Sequence, residues 1–404
     1  MRHFFFSVVA LLAVAASAHA QGERVGSGAP APEYRGGWTF TPTVGVAETF
    51  DDNITLFGNG TADTLNNDYV TTFFPSANLH YEGKHTHFGA DYGGSFLGYR
   101  QFNGLDRWDQ HGSLEMRREE SARLRWFANA SGATRPETDL IDLGGIPYRH
   151  TGATELTTRG GADYVLNPRD SLSFTAGYQD IRFERSDLLP AAFLHGGDIL
   201  ETLSEFRHRL DERLAVGADY SYRRAMVSGD PEHFDLHGVE GAIDYELSSA
   251  WSVSGAAGLV YMMPTALEPG RTGPAYRVAL SHRRELMSFH VGYLQSYIPA
   301  FGFGGVIRAQ ELGGGLRAQL FHSRRWYTEH SITFRNDSPL AATDLQLPLR
   351  SLRETSVFGW EPDRWVRFEV FYARVDQTSL RPGGLLYRDR VGFQIVTSKP
   401  MRIE

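Results

Sequence analysis

From Gly36 onward the chain alternates apolar and polar or small residues with a period of two, almost without a break, and this constrains its fold more than any other feature. Leu172, Phe174, Ala176 and Tyr178 alternate with Ser171, Ser173, Thr175, Gly177 and Gln179. Leu214, Val216, Ala218, Tyr220 and Tyr222 alternate with Ala215, Gly217, Asp219 and Ser221. Trp38, Phe40, Val44 and Val46, then Phe88, Ala90 and Tyr92, then Trp251, Val253, Ala257, Leu259 and Tyr261, and finally Val366, Phe368, Val370 and Tyr372 form further rows of the same kind. A helix would space its apolar residues three and four apart; a strand with two different faces spaces them two apart.

The connections between these rows also alternate. Short polar turns fall at 82–85, 118–121, 167–170, 211–213, 248–250, 283–285, 322–325 and 361–364, and longer segments at 50–67, 102–107, 133–152, 185–198, 228–233, 264–273, 300–305, 336–347 and 377–385. Eight short and nine long connections imply about eighteen strands, with all turns at one end and all loops at the other. The expected fold class is therefore all-β: a transmembrane antiparallel up-and-down β-barrel of about eighteen strands (sixteen to eighteen), with short periplasmic turns and longer extracellular loops. Its apolar face would meet lipid, and its polar face water or packed side chains.

Composition agrees with this reading. Aromatic residues make up 13% of the chain, there are 43 glycines, and there is no cysteine. No apolar run after the N-terminus reaches the ~18–20 residues of a spanning helix. The formal net charge of −8 makes nucleic acid a poor partner. At the N-terminus Arg2 and His3 precede an apolar run from Phe4 to Ala16, and Ala18-His19-Ala20 follows with the small-x-small pattern of a secretory leader. The expected organisation is a signal peptide over 1–20, cleaved after Ala20, a flexible periplasmic leader over 21–35, and a barrel over 36–404 in the outer membrane of a Gram-negative cell.

Pro42, Val44 and then Phe50-Asp51-Asp52-Asn53-Ile54, followed by Phe73-Phe74-Pro75, resemble the opening of the outer-membrane β-barrel porin family associated with exopolysaccharide export and exosortase loci. The resemblance covers the first hundred residues; beyond them only the strand pattern matches. It implies an outer-membrane barrel and supplies neither a catalytic residue nor a substrate. The last strand, with Val391, Phe393 and Ile395 alternating, resembles the C-terminal signal read by the outer-membrane assembly machinery, except that Ser398 to Glu404 stand where a terminal aromatic residue is usual.

Three groups of residues are candidates for function. Arg117, Arg123, Arg125, Arg159, Arg207 and Arg209, with Glu155 and Glu205, are expected on the non-apolar register of consecutive strands, lining a pore wide enough for water. Such charges either pair across strands or bias the passage of ions and sugars. In the third long connection Leu140, Ile141, Leu143, Ile146 and Tyr148 are too apolar for an exposed loop tip, which predicts an inward fold that constricts the pore. The apolar stretch Leu188 to Leu194 of the next loop invites the same reading. Trp251, Trp326, Trp360 and Trp365 lie beside short turns and are expected to form an aromatic girdle at the inner interface.

Other motifs carry less. The acids Asp51, Asp52, Asp63 and Asp68 lack the spacing of a calcium loop, and His85 and His87 have no evident third metal ligand. No catalytic, cofactor-binding or metal-binding residue is assigned, and no cofactor is expected. Three classes of function stay open: a channel for small polar solutes or saccharides, an accessory barrel of exopolysaccharide export working with other export components, and an outer-membrane enzyme. The expected partners are outer-membrane lipid, lipopolysaccharide and the assembly machinery.

Overall fold

The computed structural model describes residues 36–56, 66–141, 145–148, 150–184, 194–228, 233–266, 269–301, 305–321, 323–340, 348–379 and 385–403. Its strands are β1 (Gly37–Asp51), β2 (Asp68–Glu82), β3 (Thr86–Tyr99), β4 (Arg107–Glu119), β5 (Leu124–Arg135), β6 (Ala153–Val165), β7 (Asp170–Phe183), β8 (Gly197–Arg209) and β9 (Leu214–Val227). They continue as β10 (His233–Glu246), β11 (Trp251–Met262), β12 (Arg271–Arg283), β13 (Met287–Pro299), β14 (Val306–Gln319), β15 (Trp326–Pro339), β16 (Leu349–Trp360), β17 (Val366–Ser379), β18 (Leu385–Ser398) and the short β19 (Met401–Ile403). Each strand from β1 to β17 pairs antiparallel with the next, and β1 pairs with both β2 and β18, which closes the sheet into an eighteen-strand barrel. The expected short turns and long loops fall where the sequence places them. Closure leaves no unpaired sheet edge, so the wall satisfies its own backbone groups.

The outward face is apolar and exposed: Val239 is 60%, Leu259 57% and Val370 56% accessible. In a water-soluble protein, alternate rows of Val, Leu, Phe and Tyr would turn toward a core. Here the buried side of the wall includes charged and amide side chains, among them Asp219, Glu369, Gln377 and Arg388.

The C-terminal tail extends the wall. Ser398 lies opposite Thr43, and after Lys399 and Pro400 the same register resumes with Met401 opposite Phe40 and Ile403 opposite Trp38. Pro400 has no N–H to give the ladder, which accounts for the break between β18 and β19. The Lys399 backbone N–H donates to the Pro42 carbonyl at 3.3 Å and bridges it.

Candidate functional site

The connection between β5 and β6 turns into the barrel. A single 3-10 turn forms at Thr138–Leu140, and the Thr138 hydroxyl donates to the Pro147 carbonyl at 2.8 Å, stapling the two arms of the loop. Its contacts lie across the lumen, since β5 and β6 stand opposite β14 and β15 on the ring. The Gly145 N–H donates to Asp337 on β15 at 2.7 Å. Arg353 on β16 donates to the Ile141 carbonyl at 2.6 Å and to the Tyr148 hydroxyl at 3.0 Å. Gln377 on β17 grips the loop twice: its carbonyl accepts from the Tyr148 N–H at 2.8 Å, and its amide donates to the Ile146 carbonyl at 3.0 Å. Buried backbone groups need such partners, and here inward-facing wall side chains supply them.

Apolar contacts seal the same region. Ile141 and Ile146 are buried in a cluster with Ile181, Phe234, Met262 and Phe301, and Tyr148 packs with Leu56, Val375 and Leu386. Leu140 is partly buried. Leu143, like residues 185–193 of the next loop, lies outside the described residues.

Charge fixes the loop as firmly as packing. Arg388 on β18 is buried among three carboxylates. Its guanidinium donates to Asp51 of β1 at 2.9 and 3.0 Å, to Glu137 at 3.1 Å and to Asp139 at 3.2 Å. Arg390 stands 3.7 Å from Asp139, and His150 Nδ1 is 3.1 Å from Glu137. Burial pushes the Glu137 carboxyl up, but Arg388 and His150 outweigh it and hold the group well below the ordinary range. For Asp139 burial and the neighbouring Glu137 charge prevail over Arg388 and Arg390, and its carboxyl is raised.

The same corner absorbs the Phe50–Ile54 segment. Asp51 engages Arg388, the Asp52 carboxylate accepts from the Asp389 N–H at 2.7 Å, and the Asn53 amide donates to the Tyr387 carbonyl at 2.9 Å. Asp51 and Asp52 are thus tied to the barrel seam, Asp68 accepts from the N–H groups of Gln101 at 2.8 Å and Phe102 at 3.1 Å, and Asp63 lies outside the described residues. His87 lies 2.6 Å from Glu82 and His80 3.0 Å from its other oxygen.

The inner wall also carries an ion-pair ladder. Arg125 pairs with Asp163 at 3.0 Å, and Arg159 with Glu201 at 2.7 Å. Arg207 binds Asp219, Glu205 at 3.1 Å and Asp244 at 3.3 Å, and Arg277 reaches Asp219 at 3.0 Å. Glu155 accepts from Gln179 at 3.0 Å. Arg209 occupies the same inner register at the end of β8, and Arg117 lies exposed near the end of β4. Arg123 lies at the end of the turn between β4 and β5, where the Ser121 hydroxyl accepts from its N–H at 3.2 Å, and its carbonyl accepts from the Val165 N–H at 2.8 Å, which continues the β5–β6 ladder by one residue. The turn runs over 120–123, as long as the expected 118–121 but two residues later.

The four tryptophans line the short-turn rim. Trp326 stacks on Trp360 at 5.5 Å, Trp360 on Phe368 at 5.5 Å, and Trp251 leans on His282 at 4.3 Å. Trp365 carries the Arg364 guanidinium 4.3 Å from its ring centre. Trp38, packed on Tyr81 at 4.9 Å, completes the rim at the barrel seam.

Sequence reasoning missed Arg388, Glu137, Asp139, Arg353 and Gln377. One signal was present: Arg388 and Arg390 sit on the register opposite Tyr387, Val391, Phe393 and Ile395, and such a pair requires inward counter-charges.

No protein-family model and no curated protein matches the chain. Among solved structures it is similar to OccAB4 of Acinetobacter baumannii, with 10% identity over 90% of this chain and 98% of that one and a TM-score of 0.46. It is also similar to OpdK of Pseudomonas aeruginosa, solved with vanillate, with 9% identity over 90% and 99% of the two chains and a TM-score of 0.46.

Proposed function

We propose that this barrel is an exported outer-membrane channel for small polar solutes, constricted by its β5–β6 loop. One observation carries the reading: a loop rooted on one side of the lumen is hydrogen-bonded to β15, β16 and β17 on the other. The exposed apolar outer wall and the aromatic rim support a bilayer setting. An eighteen-strand barrel is wide enough for a water-filled lumen, so a loop across it sets the passage. The ladder of paired charges presents hydrogen-bonding groups without a strong field of one sign, which suits neutral polar molecules such as saccharides. A link to exopolysaccharide export has only the resemblance around Phe50–Ile54 behind it.

Swelling of proteoliposomes in sugars of graded size tests the proposal. Wild-type barrel should admit only the smallest sugars, and a variant lacking 138–147 should admit larger ones. An impermeable deletion variant that is still folded would favour the closed, accessory barrel instead.

A further inference from the structure

Resting on the bilayer reading, we propose that Arg364, Trp365 and Lys399 form a binding site for the headgroup phosphate of an anionic phospholipid at the short-turn rim. The Arg364 guanidinium carbon lies 4.3 Å and the Lys399 ammonium 5.9 Å from the Trp365 ring centre, so two cations share one indole. Among the described residues neither cation has a carboxylate partner. The nearest acid in sequence, Asp363, is turned onto the backbone, where its carboxylate accepts from the N–H groups of Trp365 at 2.6 Å and Val366 at 3.0 Å. The Ser398 N–H donates to the Trp365 carbonyl at 2.9 Å and holds the turn against the end of β18, which keeps both cations in place.

The surroundings identify a lipid rather than a free anion. From Trp365 toward mid-wall the outer surface is exposed and apolar, with Phe368 level with Ile395 and Val46, and Val370 level with Phe393. Acyl chains on this strip would leave their headgroup beside the indole, at the level tryptophan favours. Two unpaired cations there select a headgroup of net negative charge. Arginine can hold two phosphate oxygens at once, and lysine adds a point charge.

Native mass spectrometry of the detergent-solubilised barrel, titrated with dioleoylphosphatidylglycerol, dioleoylphosphatidylcholine or inorganic phosphate, tests the site. Wild type should prefer the glycerol lipid. The Arg364→Gln/Lys399→Gln variant should lose on the order of tenfold in its affinity for that lipid and nothing for the choline lipid. Heat-dependent mobility on a gel verifies that the variant is folded; Lys399→Gln alone, with a smaller loss, replaces the pair if it is not. Equal binding of both lipids by wild type, unchanged binding by the variant, or displacement of the lipid by inorganic phosphate would overturn the inference. A conducting barrel without this preference removes the lipid site alone; a barrel that keeps it but never conducts removes the channel reading alone.

Discussion

Arg388, near the start of the last full strand, and Glu137, in the loop between β5 and β6, bury their charges against each other inside the barrel, each side chain only 3% exposed. They are 251 residues apart in sequence. The pair joins the loop to the seam where β18 meets β1, because the same guanidinium also holds Asp51. Removing one partner of a buried ion pair leaves the other charged in a medium that solvates it poorly.

Arg388→Met should therefore undock the loop while the wall stays folded. Losing one member of a buried pair costs about 3–5 kcal/mol, and this site strands three carboxylates. Chymotrypsin should cut at Tyr148, buried in the wild type, at least tenfold faster in the variant. An unchanged rate would show that the apolar contacts of Ile141 and Ile146 suffice to hold the loop.

Acid should weaken the docked loop through Glu137. Its carboxyl is held below the ordinary value of 4.5, so its stabilising contribution is complete above that value and is lost as pH falls from there toward the lowered one. Asp139 has the opposite sign: its carboxyl is raised, and protonating it relieves repulsion with Glu137. Arg388, Arg390, Arg353 and His150 face the two acids. Amide exchange in residues 145–148, corrected for intrinsic rates, should quicken below about pH 4.5. Glu137→Gln should abolish or reverse that trend. The same acid dependence in both proteins would contradict the assignment.

Gly145 is a second lever on the loop. Its φ of +72° is left-handed, and an added Cβ would lie 2.8 Å from the Ala300 Cβ and 3.2 Å from Ile307 Cδ1. Gly145→Ala should cost ~1–3 kcal/mol of docking. Gly132→Ala on β5, where the nearest atom is 3.7 Å away, is the matched control. Equal exchange protection of the loop in the two variants would rule out strain at Gly145 as a determinant.

The wall was legible in the sequence and its lock was not, for a physical reason. Strand period and turn length are local properties, so the rows ending in Val391, Phe393 and Ile395 and the turns beside Trp326 and Trp360 declare themselves over ten residues. The apolar loop tip around Ile141 and Ile146 stood out because water is a poor neighbour for it. Glu137 and Asp139 did not stand out, since acids in a loop ordinarily face water, and their counter-charge comes from the far end of the chain. The inner arginines were visible as a register. That Arg207 meets Asp219 and Asp244, and Arg159 meets Glu201, depends on cross-strand pairing that alternation alone leaves open.

Ion selectivity should separate Arg125 from Arg123. Arg125 neutralises Asp163 on the inner wall, so Arg125→Ala exposes a carboxylate to the lumen and should shift the reversal potential toward cations. Arg123 lies in the exposed turn, and Arg123→Ala should shift it little. Equal shifts would mean that the ladder does not line the conducting path.

Single-channel conductance in a planar bilayer, for the wild type and for the chain lacking 138–147, tests the constriction most directly. With the loop spanning the lumen through Asp337, Arg353 and Gln377, the wild type should show small unitary currents and the deletion currents several-fold larger. Identical conductance in two folded proteins would contradict a lumen set by this loop.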